Sequence, residues 1–329
     1  MASSAEPELE TVYVSMADLP TASSEPMNDE EGSVAYRGCG LVDSQLHETA
    51  SYAKEQGGHG DGGCVVSSAE APVATVFATG RGQLAIHTTK KEDRQRAGFT
   101  DEYAQQAKGT VTGAFMQVLA AEEQPATIGQ VAEDVEAGVR TVVSGAVERS
   151  KQDGSGYQEH KYWQAPEAVG KELTQDWAAA LGGSKAALIL MVGRYPYAGP
   201  DSLRSLQPAI SEESRLLQRA LEAKGFETTL VPQEELQDVG GMRAALLEFA
   251  VRASACEVSV IVASGHGMQL LNLQGLDGVR LCPGGFLKHR GLENALPFRE
   301  IQQAARGRKA NLVLYGACRE DAVPHTSGI

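Results

Sequence analysis

His266 and Cys318 each stand just beyond a short apolar run in this 329-residue chain. His266 lies in Ser264-Gly265-His266-Gly267, after the run at 258–263. Cys318 lies in Tyr315-Gly316-Ala317-Cys318-Arg319-Glu320, after Leu312-Val313-Leu314. Such runs read as buried strands, so both side chains are delivered to strand ends, where chemistry gathers in an open α/β sheet. An imidazole that takes the proton of a thiol turns it into a nucleophile and can later return that proton to a leaving amine. The glycines beside His266 let the Gly267 amide approach a substrate carbonyl, and with the Cys318 amide it forms an expected oxyanion hole. A lone histidine or cysteine at a strand end is more often structural. The two together, on consecutive strands, predict a cysteine hydrolase with His266 and Cys318 as its catalytic pair.

The elements that must position this pair are regular in the second half of the chain. Apolar strands are expected over 186–192, 226–231, 258–263 and 311–315, alternating with helices over 211–224, 242–253 and 297–306. Leu216, Leu217, Ala220 and Leu221 share one face of the first of these helices, and Gly225 stops it. A small hairpin over 271–281 is expected to turn at Asp277-Gly278. Strand–helix alternation implies right-handed crossovers, a mostly parallel sheet and helices on both faces. There is no internal repeat, and no glycine-rich phosphate loop follows a strand.

The first half is less regular. Residues 1–32, rich in Glu, Ser, Pro and Ala, read as an acidic flexible tail with one short strand at 12–14. Strands at 73–77 and 83–88 read as a hairpin around Gly80-Arg81-Gly82. Helices are expected over 112–121, with Phe115, Val118 and Leu119 inward, and over 128–147, with Val131, Val135, Val139, Val142 and Val143 inward and Thr127 as N-cap. An edge strand over 157–163 and a connector with a short helix over 173–181 complete this half.

With 43 Asp and Glu against 29 Lys and Arg, the net charge of −14 argues against a phosphate-binding footprint and hence against nucleic acid. No apolar run reaches the roughly 18 residues of a membrane helix. Residues 1–10 lack the basic and apolar regions of a secretory signal. Five cysteines without a close pair speak against a disulfide framework or zinc knuckle, so reduced thiols and a cytoplasmic location are expected.

An Ala-Cys-Arg core with a histidine roughly 50 residues upstream belongs to caspases, and Ala317-Cys318-Arg319 follows His266 by 52 positions. Residues 184–329, with Gly193 and Tyr195 after the first strand, resemble the catalytic large subunit of caspase-like cysteine proteases. Residues 33–168 resemble the small subunit of metacaspases, through Gly38-Cys39 followed by Asp43, Gln45 and Ala50, through Gly113-Ala114-Phe115, and through the helix over 127–143. An insertion occupies about 51–96, and residues 169–183 link the two regions. This order, small before large, resembles the type III metacaspases of some algae, and it accounts for the few residues that follow Cys318.

The resemblance implies a caspase-like α/β/α sandwich with rearranged subunit order. It also implies an endopeptidase cleaving protein or peptide substrates after Arg or Lys, monomeric and active as a single uncut chain. By motif position, Glu212, Ser264 and Gly316 fall in the first substrate pocket. Gly316 stands where the family carries an aspartate, which Asp43 is expected to replace. Calcium activation is implied too, with Asp277, Glu293, Glu300, Glu320 and Asp321 as candidate Ca2+ ligands. The competing expectations are a caspase-like scaffold without proteolysis, motivated by Gly316, and a thiol hydrolase with another residue preference.

Overall fold

The computed structural model describes residues 72–80, 91–153, 165–197, 202–270, 273, 275–288 and 294–322. Asp43, Glu293 and the strands expected at 12–14, 83–88 and 157–163 lie outside the described residues.

In chain order the elements of the upstream half are β1 (Val73–Phe77), α1 (Lys91–Arg96), α2 (Glu102–Gln106), α3 (Thr110–Ala120), α4 (Ile128–Asp153), β2 (Glu167–Val169) and α5 (Trp177–Ala180). Then come β3 (Lys185–Met191), α6 (Ala209–Ala223), β4 (Glu227–Leu230), α7 (Val239–Ala253) and β5 (Val258–Gly265). The last stretch holds β6 (Gly267–Leu270), β7 (Val279–Leu281), β8 (Leu296–Pro297), α8 (Phe298–Ala304), β9 (Ala310–Ala317) and β10 (Glu320–Ala322).

Six strands form the main sheet in the order β2-β1-β9-β5-β3-β4, parallel throughout except for β2 against β1. The continuous apolar runs of β3, β5 and β9 are buried on both faces, as central parallel strands require. Helix α6 covers β3 and β4, while α3 and α4 pack on β9 and β1. On the opposite face α7 and α8 pack together, and Phe298 of α8 closes on Phe77 and Tyr315 at ring distances of 4.9 and 5.3 Å. This is a mixed α/β chain with helices on both faces of a mostly parallel sheet. Upstream and downstream halves share it, because β1 pairs with β9, the strand that ends just before Cys318.

The helix faces agree with the expected periodicity. Val131, Val135, Val139, Val142 and Val143 are buried, as are Leu216, Leu217, Ala220 and Leu221. Thr127 Oγ1 accepts the Gln130 amide at 3.2 Å, the expected N-cap bond. Gly225 has φ +78°, ending α6 in the left-handed region. One expectation needs correction. The expected hairpin is formed by β6 and β7, which pair antiparallel from Gly267 onward rather than from 271, and Asp277-Gly278 belongs to the 3-10 turn Gly275–Gly278 that leads into β7.

From β3 the chain runs outward to β4 by way of α6, then returns across the opposite face by way of α7 to β5. The sheet order therefore reverses between β3 and β5, and the crevice outside their carboxyl ends is the natural ligand site of such a sheet.

Candidate active site

Two neighbouring parallel strands leave the main sheet together and enter a second, smaller one. β5 ends at Gly265 opposite Ala317 of β9, and pairing resumes with Met268 of β6 opposite Glu320 of β10. The second sheet runs β10-β6-β7-β8. Between the two ladders lie two residues on each strand, His266 and Gly267 facing Cys318 and Arg319. The dyad expected from sequence thus occupies a break in pairing between adjacent strands, which lie about 4.8 Å apart where paired. Ser264 and Gly316 are a register pair two residues earlier. Cys318 and His266 are each only 2% exposed.

The ring of His266 is held in one tautomer. Its Nε2 lies 2.8 Å from the carbonyl oxygen of Arg204, in the segment that follows β3. A carbonyl can only accept, so Nε2 carries the hydrogen and the lone pair of the neutral ring sits on Nδ1. Burial lowers the His266 pKa to about 4; the Arg204 bond opposes this shift and the charge of Lys288 adds to it. The imidazole is therefore neutral at pH 7, with its lone pair on Nδ1.

This shift has a consequence for stability. The ordinary value of 6.5 applies to the unfolded chain, and the folded value is about 4. Between them the unfolded chain binds the extra proton, so stability is full above pH 6.5 and is lost as pH falls towards 4. Urea unfolding at pH 7 and pH 4 should show the native protein losing on the order of 3 kcal/mol more than a His266→Gln variant. Equal losses would mean that His266 is not held neutral by burial.

The break also sets up two backbone donors. Cys282 N–H donates to the His266 carbonyl at 2.9 Å, which makes this a hydrogen-bonding position of the antiparallel β6–β7 ladder. The next pair, Gly267–Leu281, is then a non-hydrogen-bonded one, and the Gly267 amide points away from β7, towards the side of Cys318 and β10. A Cβ on Gly267 would come within 2.5 Å of both the Cys318 carbonyl oxygen and the Tyr315 hydroxyl. Only glycine allows this approach of β6 to the Cys318 segment, whose own amide is the other expected oxyanion donor.

Arg319 has a structural part that motif reading missed. It is buried, its guanidinium lies 4.4 Å from the centre of the Phe77 ring, and it pairs with Glu167 of β2. It also reaches the Thr79 carbonyl and the side chain of the fully buried Gln269, each at 3.4 Å. The residue after the thiol is thus clamped by the upstream half of the chain.

Of the expected pocket residues, Ser264 donates to the Gly316 carbonyl at 3.1 Å, so these two adjoin. Glu212 lies in the first turn of α6, half exposed, and pairs with Lys108 at 2.8 Å. Its neighbour Glu213 turns inward. Glu213 is buried and accepts the Lys108 and Gly109 amides at 2.7 and 3.1 Å, so it sits at the N-terminus of α3. Burial raises its pKa to about 7 against the pull of these amides, the Thr112 hydroxyl and Arg94.

The calcium candidates are not gathered. Asp277 pairs with Arg299, and both oxygens of Glu300 accept from Arg243 at 2.7 and 2.8 Å. Carboxylates neutralised by arginine do not fit a Ca2+ cage. Glu320 and Asp321 are residues of β10, paired with Met268 and Gln269 of β6. Among the described residues no group of three or more His, Cys, Asp or Glu is placed to hold a metal, and no helix is long and apolar enough to cross a membrane.

No protein-family model matches this sequence, and no curated protein resembles it significantly. The chemistry therefore rests on the residues themselves. Arg204 acts through its main chain, which leaves no signal in residue type. Glu213 could have been suspected, because it falls at a position next to the apolar stripe of α6.

Proposed function

We propose that this chain is a cysteine endopeptidase with Cys318 as nucleophile and His266 as general base. The observation that carries the reading is the tautomer of His266: its Nε2–H is committed to the Arg204 carbonyl, which puts the lone pair on Nδ1, and Cys318 stands at the register position of His266 on the adjacent strand. Cys318 Sγ attacks the scissile carbonyl carbon while its proton passes to His266 Nδ1. The oxyanion is held by the amides of Gly267 and Cys318. As the tetrahedral intermediate collapses, the proton goes to the leaving amine, and an acyl-enzyme remains on sulfur. Water, deprotonated by the same imidazole, then releases the acid. The imidazole starts neutral and becomes charged as it takes the proton.

Preference for Arg or Lys is the second part of the proposal. Ser264 and the side-chain-free Gly316 offer space beside the dyad, and the negative net charge favours basic substrates. Glu212, Ser264 and Gly316 are the proposed pocket residues, and Glu212 must exchange Lys108 for the substrate's cation. Two cationic residues, Arg204 and Lys288, adjoin His266 and favour the rival reading, a thiol hydrolase selective for acidic residues. Since Cys318 and His266 are 2% exposed, substrate reaches them only when the covering chain moves aside.

Fluorogenic peptides ending in Arg, Lys or Asp, each with and without Ca2+, test the proposal. Cleavage after Arg or Lys is expected. Cleavage only after Asp would move the reading to the rival preference. No cleavage of any peptide would leave the fold as an interaction scaffold.

A further inference from the structure

Resting on the reading of Cys318 and His266 as a catalytic pair, we infer that Tyr195 is the positioning residue for His266, its hydroxyl acting as a wedge in the β6–β7 ladder. In a regular antiparallel ladder, the position at which Cys282 N–H donates to the His266 carbonyl also carries the reciprocal bond, from His266 N–H to the Cys282 carbonyl. Here that second bond is replaced. His266 N–H donates to the Tyr195 hydroxyl oxygen at 3.0 Å, and the Tyr195 hydroxyl donates to the Cys282 carbonyl at 3.2 Å. One oxygen atom satisfies both backbone groups while holding them apart.

The surroundings fix this wedge in place. Tyr195 is buried in the segment that follows β3, on the switch-point side of β5. Its ring meets the imidazole of His266 edge-on, with centroids 4.7 Å apart and planes at 67°. Gly265 bends at φ +145°, and a Cβ there would lie 3.0 Å from the Tyr195 hydroxyl and 2.9 Å from the Val192 carbonyl. The chain thus turns out of β5 against Tyr195, opens for its hydroxyl, and rejoins β7 one residue later. The Tyr195 ring and the Arg204 carbonyl at Nε2 therefore both bear on where the imidazole stands.

Without the hydroxyl, either the ladder closes and draws the His266 backbone towards Cys282, or two buried polar groups lose their partners. Both outcomes shift the base relative to Cys318. Misplacement by about 1 Å costs roughly 100-fold in a positioned reaction. Tyr195 is not assigned any contact with substrate, so the loss should fall on kcat.

The test compares Tyr195→Phe with incorporation of 4-aminophenylalanine at position 195, which keeps a donor and an acceptor at the place of the hydroxyl. Steady-state cleavage of the best peptide should show kcat lowered about 10- to 100-fold in Tyr195→Phe with KM within twofold. The amino variant should recover to within about threefold of the native kcat. Tyr195→Phe with native kcat, or an amino variant as impaired as phenylalanine, would overturn the inference. Either result leaves the dyad reading standing as long as Cys318→Ala is inactive, whereas activity in Cys318→Ala would remove that reading itself.

Discussion

Cys318→Ala is expected to abolish peptide hydrolysis, with turnover lower by on the order of 10⁴-fold or more. His266→Ala is expected to cost on the order of 10²- to 10⁴-fold, the share of a positioned acid–base group. The two residues act as a unit, since the base has no work without the thiol. The double variant should therefore be no worse than Cys318→Ala alone. Losses that multiplied would mean two independent contributions and would break the proposed sharing of one proton. The comparison is clean on the cysteine side, because trimming a buried thiol to a methyl group removes little volume. Melting curves recorded in parallel separate lost chemistry from lost fold.

A second large effect is expected from a single methyl group. Gly267→Ala places a Cβ within 2.5 Å of the Cys318 carbonyl oxygen and of the Tyr315 hydroxyl, and 2.9 Å from the Ala317 Cβ. Backbone cannot yield as a flexible side chain does, so β6 and the Cys318 segment must move apart. Overpacking of this kind costs about 1–3 kcal/mol. It also pulls apart the two amides proposed to hold the oxyanion, and one lost donor lowers kcat by roughly 10²- to 10³-fold. Peptide cleavage and thermal unfolding of Gly267→Ala should thus show a lower melting temperature and a much larger loss of rate. A variant that lost stability but kept its kcat would place the oxyanion donors elsewhere.

The difference between what the residues foretold and what only packing reveals can be read at particular positions. The helix faces at Val131–Val143 and Leu216–Leu221 follow from period 3.6, and the central strands from long apolar runs, because burial dictates residue type there. His266 and Cys318 stood out because their chemistry is rare and their flanks are strand ends. The second sheet was hidden. β6 is four residues long, β8 two and β10 three, too short for any periodicity to register. β2 escaped for the same reason, although its Glu167 clamps Arg319 across 152 positions. The contact of Arg204 with His266 is made by a carbonyl that every residue possesses. Tyr195 stood out as a landmark after β3, yet its position between His266 and Cys282 depends on a chain reversal that no local pattern encodes.

The pocket is where residue type alone was least informative. By motif position Glu212 is expected in the first substrate pocket; it lies in the first turn of α6, engaged by Lys108. The buried carboxylate at that end of α6 is its neighbour Glu213, directed at the amides of the upstream half. One helical step separates an exposed acid from a buried one, and spacing cannot resolve it without knowing which helix packs alongside.

The most direct test of the central claim is covalent labelling by an Arg-ended peptidyl acyloxymethyl ketone, read by intact mass and peptide mapping. The account predicts one adduct per chain, on Cys318, forming at least about 100-fold more slowly in His266→Ala. Labelling of Cys256 or Cys282 in its place, or labelling of Cys318 at an unchanged rate without His266, would contradict it.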